Sequence, residues 1–133
     1  MNKVCILPAI FLLAGTFCLA DQPASVQVMV GSDDNLDACS ALGMVSGLKS
    51  GRNSFLAVRA GPDKRFAMID RLKAGQRVSI CRSSENGKWY GVVYSRKSAE
   101  DCGVTSPINP ARPYNGKCRS GWVNAHWIKL LAG

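Results

Sequence analysis

Cys39, Cys81, Cys102 and Cys118 are the residues of this chain with the most chemistry open to them. Thiolates in a Cys-x-x-Cys pair would hold zinc or cycle between redox states, but no two of these four stand at that spacing. The reading that remains is two disulfides, for which four cysteines allow three connectivities. With both bridges formed, none of these four thiols is left for nucleophilic catalysis, and the other two cysteines, Cys5 and Cys18, lie in the opening leader. His126 is the only histidine, and a Ser/His hydrolase would have to use it. No Gly-x-Ser-x-Gly elbow accompanies it, so we read it as a surface residue in the turn between two final strands. Asp63, Asp70, Glu85, Glu100 and Asp101 all stand near turn signals, where solvated acids normally sit. Nothing singles out two of them as the pair a glycosidase needs. We expect no catalytic residue, no metal site and no cofactor.

The segment Asp33-x-Asn35-x-Asp37 opens like a calcium-binding loop. The pattern then fails, because Ala38 occupies the position of the sharp-turn Gly and Met44 that of the bidentate Glu. A solvated turn or a helix cap explains the cluster without an ion.

The elements that must position these residues follow an opening leader. Lys3 precedes an apolar run, Val4–Ala14, which ends in small residues at Ala20. This is the grammar of a secretory signal, and Phe17 before Cys18 argues against a lipoprotein. We expect cleavage after Ala20, with a retained anchor helix as the alternative. No later segment is apolar enough to span a bilayer, so the mature chain should be soluble, without an integral membrane segment, and periplasmic or secreted. The whole chain has 133 residues, with 17 Lys+Arg against 9 Asp+Glu and a formal net charge of +8. That balance excludes an acidic tail, a collagen or a coiled coil, and it favours anionic partners. Basic residues do interleave with Trp89, Tyr90, Trp122 and Trp127. An exported, disulfide-bonded protein seldom meets nucleic acid, however, and no signature for binding it occurs, so none is expected.

Residues 21–40 read as an N-terminal extension with a short strand at Val26–Val30. From there on, short apolar runs alternate with turn residues. They are Gly43–Leu48, Phe55–Arg59, Arg77–Cys81, Trp89–Tyr94, Gly121–Asn124 and Ile128–Leu131. Such runs with Gly-rich turns and no sustained 3.6-residue period predict an all-β fold, a small antiparallel barrel. The one helical candidate is Phe66–Lys73, a turn of 3₁₀ at most. Val58, Val78, Ile80 and Val123 offer an inward face.

These residues resemble a known family. Leu56-Ala57-Val58-Arg59-Ala60-Gly61-Pro62 is similar to the Leu-Asn-Val-Arg-Ser-Gly-Pro signature of bacterial SH3 (SH3b) domains. Ile69, Leu72, Gly75, Val78, Trp89-Tyr90 and Gly121-Trp122-Val123 follow in matching order. The resemblance implies an SH3b-like barrel over residues 41–131. Two departures stand out. Ala57 replaces the commoner Asn. Residues 95–120 form an insertion of 26 residues where the family has a short hairpin. The insertion contains Cys102, Cys118 and three prolines, which argues for order. We favour Cys102–Cys118, which clamps the loop at its base, and Cys39–Cys81, which ties the start of the domain to the end of a strand.

The resemblance also implies a recognition surface: the turn after the Val-Arg strand together with the neighbouring aromatic strand. On this chain that is Gly61–Asp70 with Phe66, then Trp89, Tyr90 and the loop after Tyr94. Trp89 and Tyr90 alternate faces, so one should point in and the other out. Arg65, Arg71, Arg96 and Lys97 stand close enough to meet carboxylates of cell-wall stem peptides. The expected function is a non-catalytic cell-envelope binding module, a monomer that recognises peptidoglycan or an envelope protein. The rival reading is a periplasmic inhibitor or immunity protein that blocks a cell-wall hydrolase with its inserted loop. An enzyme is the third.

Overall fold

β-Branched and aromatic residues held between turn formers favour extended, half-buried strands, and nearly all regular structure here is of that kind. The computed structural model describes residues 22–32, 34–97 and 100–133. The leader expected over residues 1–20 lies outside them, as does Asp33. In chain order the strands are β1 (Met29–Val30), β2 (Ala41–Val45), β3 (Leu56–Arg59), β4 (Met68–Leu72), β5 (Arg77–Ser83), β6 (Trp89–Tyr94), β7 (Arg112–Pro113), β8 (Arg119–Asn124) and β9 (Ile128–Ala132). A 3₁₀ turn, Ala125–Trp127, precedes β9.

Seven strands form one antiparallel sheet in the order β4-β3-β8-β6-β5-β2-β9. One face carries Val58, Val78, Ile80 and Val123, the inward set expected from the sequence, together with Leu56, Val92 and Tyr94. Leu72 from β4 at one end of the strand order joins the same cluster as Val45 from β2, and Ile128 from β9 at the other end packs against it. A flat sheet would keep them far apart, so the sheet curls around this core in the SH3-like manner. The hairpin from β5 to β6 turns where Gly87 takes a φ of 71°. There Asn86 Oδ1 accepts from the Lys88 N–H at 3.0 Å, and the Ser84 hydroxyl oxygen accepts from the Trp89 N–H at 3.1 Å.

One expectation is overturned. Residues 66–73 do not make a 3₁₀ turn; Met68–Leu72 is β4, paired antiparallel with β3 from Leu56↔Leu72 to Arg59↔Met68. Backbone pairing with a neighbouring strand outweighs the weak local preference. The chain enters β4 through the Gly61-Pro62 turn, where Gly61 is required: a Cβ there would stand 2.4 Å from the Phe66 ring.

Candidate functional site

Trp89, Gly91 and Val93 alternate with Tyr90, Val92 and Tyr94 along β6, so they lie on the sheet's outer face. In an unadorned sheet that face would meet water. Here the N-terminal segment and the insertion cover it as one layer. β1 pairs with β7, and the Cys39 N–H donates to Val104 O at 3.1 Å. Val28, Val30 and Val104 pack with Trp89, Val93 and Trp122 in a second core. Each of these three valines is at most 2% exposed, and burying each contributes about 1.5–3 kcal/mol as an upper bound. Trp122 Nε1 donates to Val26 O at 2.9 Å, and the Tyr114 hydroxyl to Cys102 O at 2.8 Å. Two disulfides fasten the layer, Cys39–Cys81 to β5 and Cys102–Cys118 across the base of the insertion. Both pairings are those favoured from the sequence.

At the foot of this cap stands Asp70, in the middle of β4. Its carboxylate accepts the Tyr94 hydroxyl at 2.6 Å and the Arg71 N–H at 2.8 Å. Arg96 is bonded to it directly, and Arg119 lies 3.5 Å away. Burial alone would raise its pKa, but the Tyr94 bond, the Arg71 N–H and the two guanidinium charges together hold it below the usual carboxylate value. Tyr94 moves the other way: burial first, then the hydrogen bond and charge of Asp70, push its hydroxyl well above the ordinary tyrosine value. The sequence reading of Asp70 as a solvated acid is therefore corrected, since its side chain is only 7% exposed.

Arg96 separates two open clefts. The first, about 420 Å³, lies between the turn at Gly75–Arg77 and the base of the insertion, where Arg96, Lys97 and Glu100 line it. Glu100 accepts the Ser95 hydroxyl and keeps its charge, but it faces three basic groups of the same cleft, Arg77, Arg96 and Lys97. The second, about 590 Å³, runs along the outside of β4 between Arg52, Phe55, Ile69, Arg71 and Lys73, with Arg96 at its end. The Arg71 guanidinium lies 4.6 Å above the Phe55 ring, a cation–π contact worth about 0.5–1 kcal/mol at an exposed site.

The residues expected to bind do not share one surface. Trp89 is 7% exposed beneath the cap, which removes it as a contact; the insertion that buries it is absent from the plain family pattern. Tyr90 is half-buried against the inner core. Phe66 lies over Gly61, with its carbonyl accepting from Arg59 Nη1 at 3.0 Å. Arg65 is exposed and bonded to Asp63, whose carboxyl is held below the usual range chiefly by the Arg65 backbone N–H. Only Arg96 and Lys97 of the six line the two clefts. Arg52, Phe55, Lys73, Tyr94 and Arg119 were not anticipated. Phe55 was read from the sequence as the first residue of the apolar run Phe55–Arg59, whereas the strand begins at Leu56. His126 is exposed, as expected, edge-on to Trp127 at 4.7 Å.

Among the described residues no helix is long and apolar enough to cross a membrane. The family described as the bacterial SH3 domain matches residues 54–129, the insertion included. No curated protein and no solved structure gives a match. The disulfides and this family match are consistent with a location outside the cytoplasm.

Proposed function

Because the chain belongs to the bacterial SH3 domain family, a type of cell-wall-binding module, we propose that it is a non-catalytic binding module of the cell envelope, periplasmic or secreted, that holds peptidoglycan or an envelope protein on the surface divided by Arg96. The observation that carries this reading is the charge of that surface. Arg52, Arg71, Lys73, Arg77, Arg96 and Lys97 surround two adjoining clefts against two carboxylates, Glu100 and Asp70, the latter paired with Arg96 and Arg119. Carboxylate-bearing ligands are what such a surface attracts.

The insertion favours a module over an inhibitor. An inhibitory plug projects its tip, whereas this loop turns Val104, Ile108 and Tyr114 down into the second core. The test is retention of the oxidised protein on purified sacculi and on immobilised envelope extract. Binding at low salt that weakens as salt rises is expected. Retention on neither material at low salt sinks the reading, and turnover of cell-wall fragments by the protein sinks its non-catalytic part.

A further inference from the structure

We infer that the cleft outside β4 is a docking groove for an extended acidic segment of a protein partner, which adds to the sheet as a further strand. This names the occupant of one half of the surface described above and rests on that functional reading. Three observations converge on it. First, β4 is the end strand of the order and, among the described residues, pairs with β3 alone. A paired strand has two edges, so β4 has backbone groups on its far side, of which the Arg71 N–H is already held by the Asp70 carboxylate.

Second, the apolar side chains there are uncovered. Met68 is 41% exposed, Ile69 52% and Phe55 39%, which accounts for three of the seven exposed large hydrophobic residues among those described. Edge strands are normally blunted by bulges, charge or cover. Here a bulge sits at Val58/Arg59, at the Met68 end of the strand pair, and the charges around the cleft are four basic groups against one acid. Third, that sign selects the partner. Arg52, Arg71, Lys73 and Arg96 rim the cleft, and its one acid, Asp70, is satisfied from within. An extended segment that carries both carboxylates and aliphatic side chains matches both features, the carboxylates meeting the basic rim and the aliphatic groups the exposed apolar side chains. A glycan strand has no backbone to pair with β4, so polypeptide is the occupant these observations favour.

The experiment uses the full oxidised protein and a fluorescein-labelled, end-blocked eight-residue peptide alternating Glu with Val, read by anisotropy. Two comparators accompany it, one with Lys for Glu and one alternating Glu with Pro. The Pro peptide keeps the charge but loses half of the backbone donors. The inference expects the Glu–Val peptide to bind and the Lys peptide not to. It expects the Glu–Pro peptide to bind at least about tenfold more weakly. The double variant Arg71→Glu/Lys73→Glu should also weaken binding at least about tenfold, while Lys129→Glu on β9 leaves it unchanged. Amide shifts should concentrate on β4. Equal binding of the Glu–Val and Glu–Pro peptides overturns the inference, as does indifference to charge reversal. So does displacement of the peptide by soluble muropeptides, or self-association that consumes these residues. The same preparations are tested on sacculi and envelope extract. Retention there without peptide binding defeats the inference alone, whereas failure everywhere defeats the functional reading as well.

Discussion

The Tyr94 hydroxyl donates to the Asp70 carboxylate at 2.6 Å, joining the last residue of β6 to the middle of β4. The same carboxylate holds Arg96 and Arg119, which stand at the two feet of the inserted loop. One half-buried acid therefore joins both feet of the loop, including the arginine that divides the clefts. Replacing Tyr94 by Phe should cost about 1–2 kcal/mol in a urea melt, because the acid loses a partner without gaining water. An unchanged midpoint contradicts this.

Asp70 also predicts an acid limb. Its folded pKa lies below the ordinary aspartate value of 3.8, so the unfolded chain takes up that proton first as pH falls. The stability it contributes is complete above about pH 5 and is lost as pH drops through the folded pKa. Asp70→Asn should flatten this part of the stability profile between about pH 5 and 2. Parallel profiles for the two proteins would show that the acid is not linked to folding.

At the alkaline end the sign reverses. Tyr94 is raised from 10.0, so its contribution is whole below that pH and fades above it. In difference absorbance between wild type and Tyr94→Phe, no phenolate should appear by about pH 11 while the protein remains folded. An ionisation near pH 10 in that difference would contradict the buried hydrogen bond.

The two disulfides should not be equivalent. Cys39 and Cys81 are 42 residues apart and Cys102 and Cys118 are 16 apart. In the chain-entropy description the longer loop is worth about 4 kcal/mol and the shorter about 3 kcal/mol. Paired Ala variants compared by denaturant melts should follow that order. The reverse order would mean that the insertion's bridge also holds native contacts together.

Much of this arrangement was legible because it is local. Gly61-Pro62, Gly75 and Asn86-Gly87 mark turns by their own chemistry, and the period-two run Arg77–Cys81 marks a strand. What escaped was set by distant partners. Residues 66–73 carry no alternation strong enough to announce a strand, and only pairing with β3 makes Met68–Leu72 one. Asp70 sits beside turn residues, while Tyr94 lies 24 positions away. The alternation of Trp89 and Tyr90 was readable, but which side is covered depends on the insertion packing with Val28, Val30, Ala38 and Cys39. Sequence spacing has no information on that contact.

Close packing of the sheet gives a further prediction. A Cβ at Gly121 would stand 2.4 Å from Val58 Cγ1 and 3.1 Å from Arg59 O. Val58 is fully buried and stiff, so the strands themselves must shift. Gly121→Ala should lower stability by about 1–3 kcal/mol in the same melt. A neutral result would mean that β3 and β8 are less closely packed than described.

Co-sedimentation with purified sacculi and capture on immobilised envelope extract, run together for wild type, Arg96→Glu and Lys129→Glu, test the central claim most directly. The account predicts that wild type and Lys129→Glu are retained alike at low salt, that added salt releases both, and that Arg96→Glu is retained several-fold less while still melting cooperatively. Equal retention of Arg96→Glu on every material, or no retention of the wild-type protein on any, would contradict it.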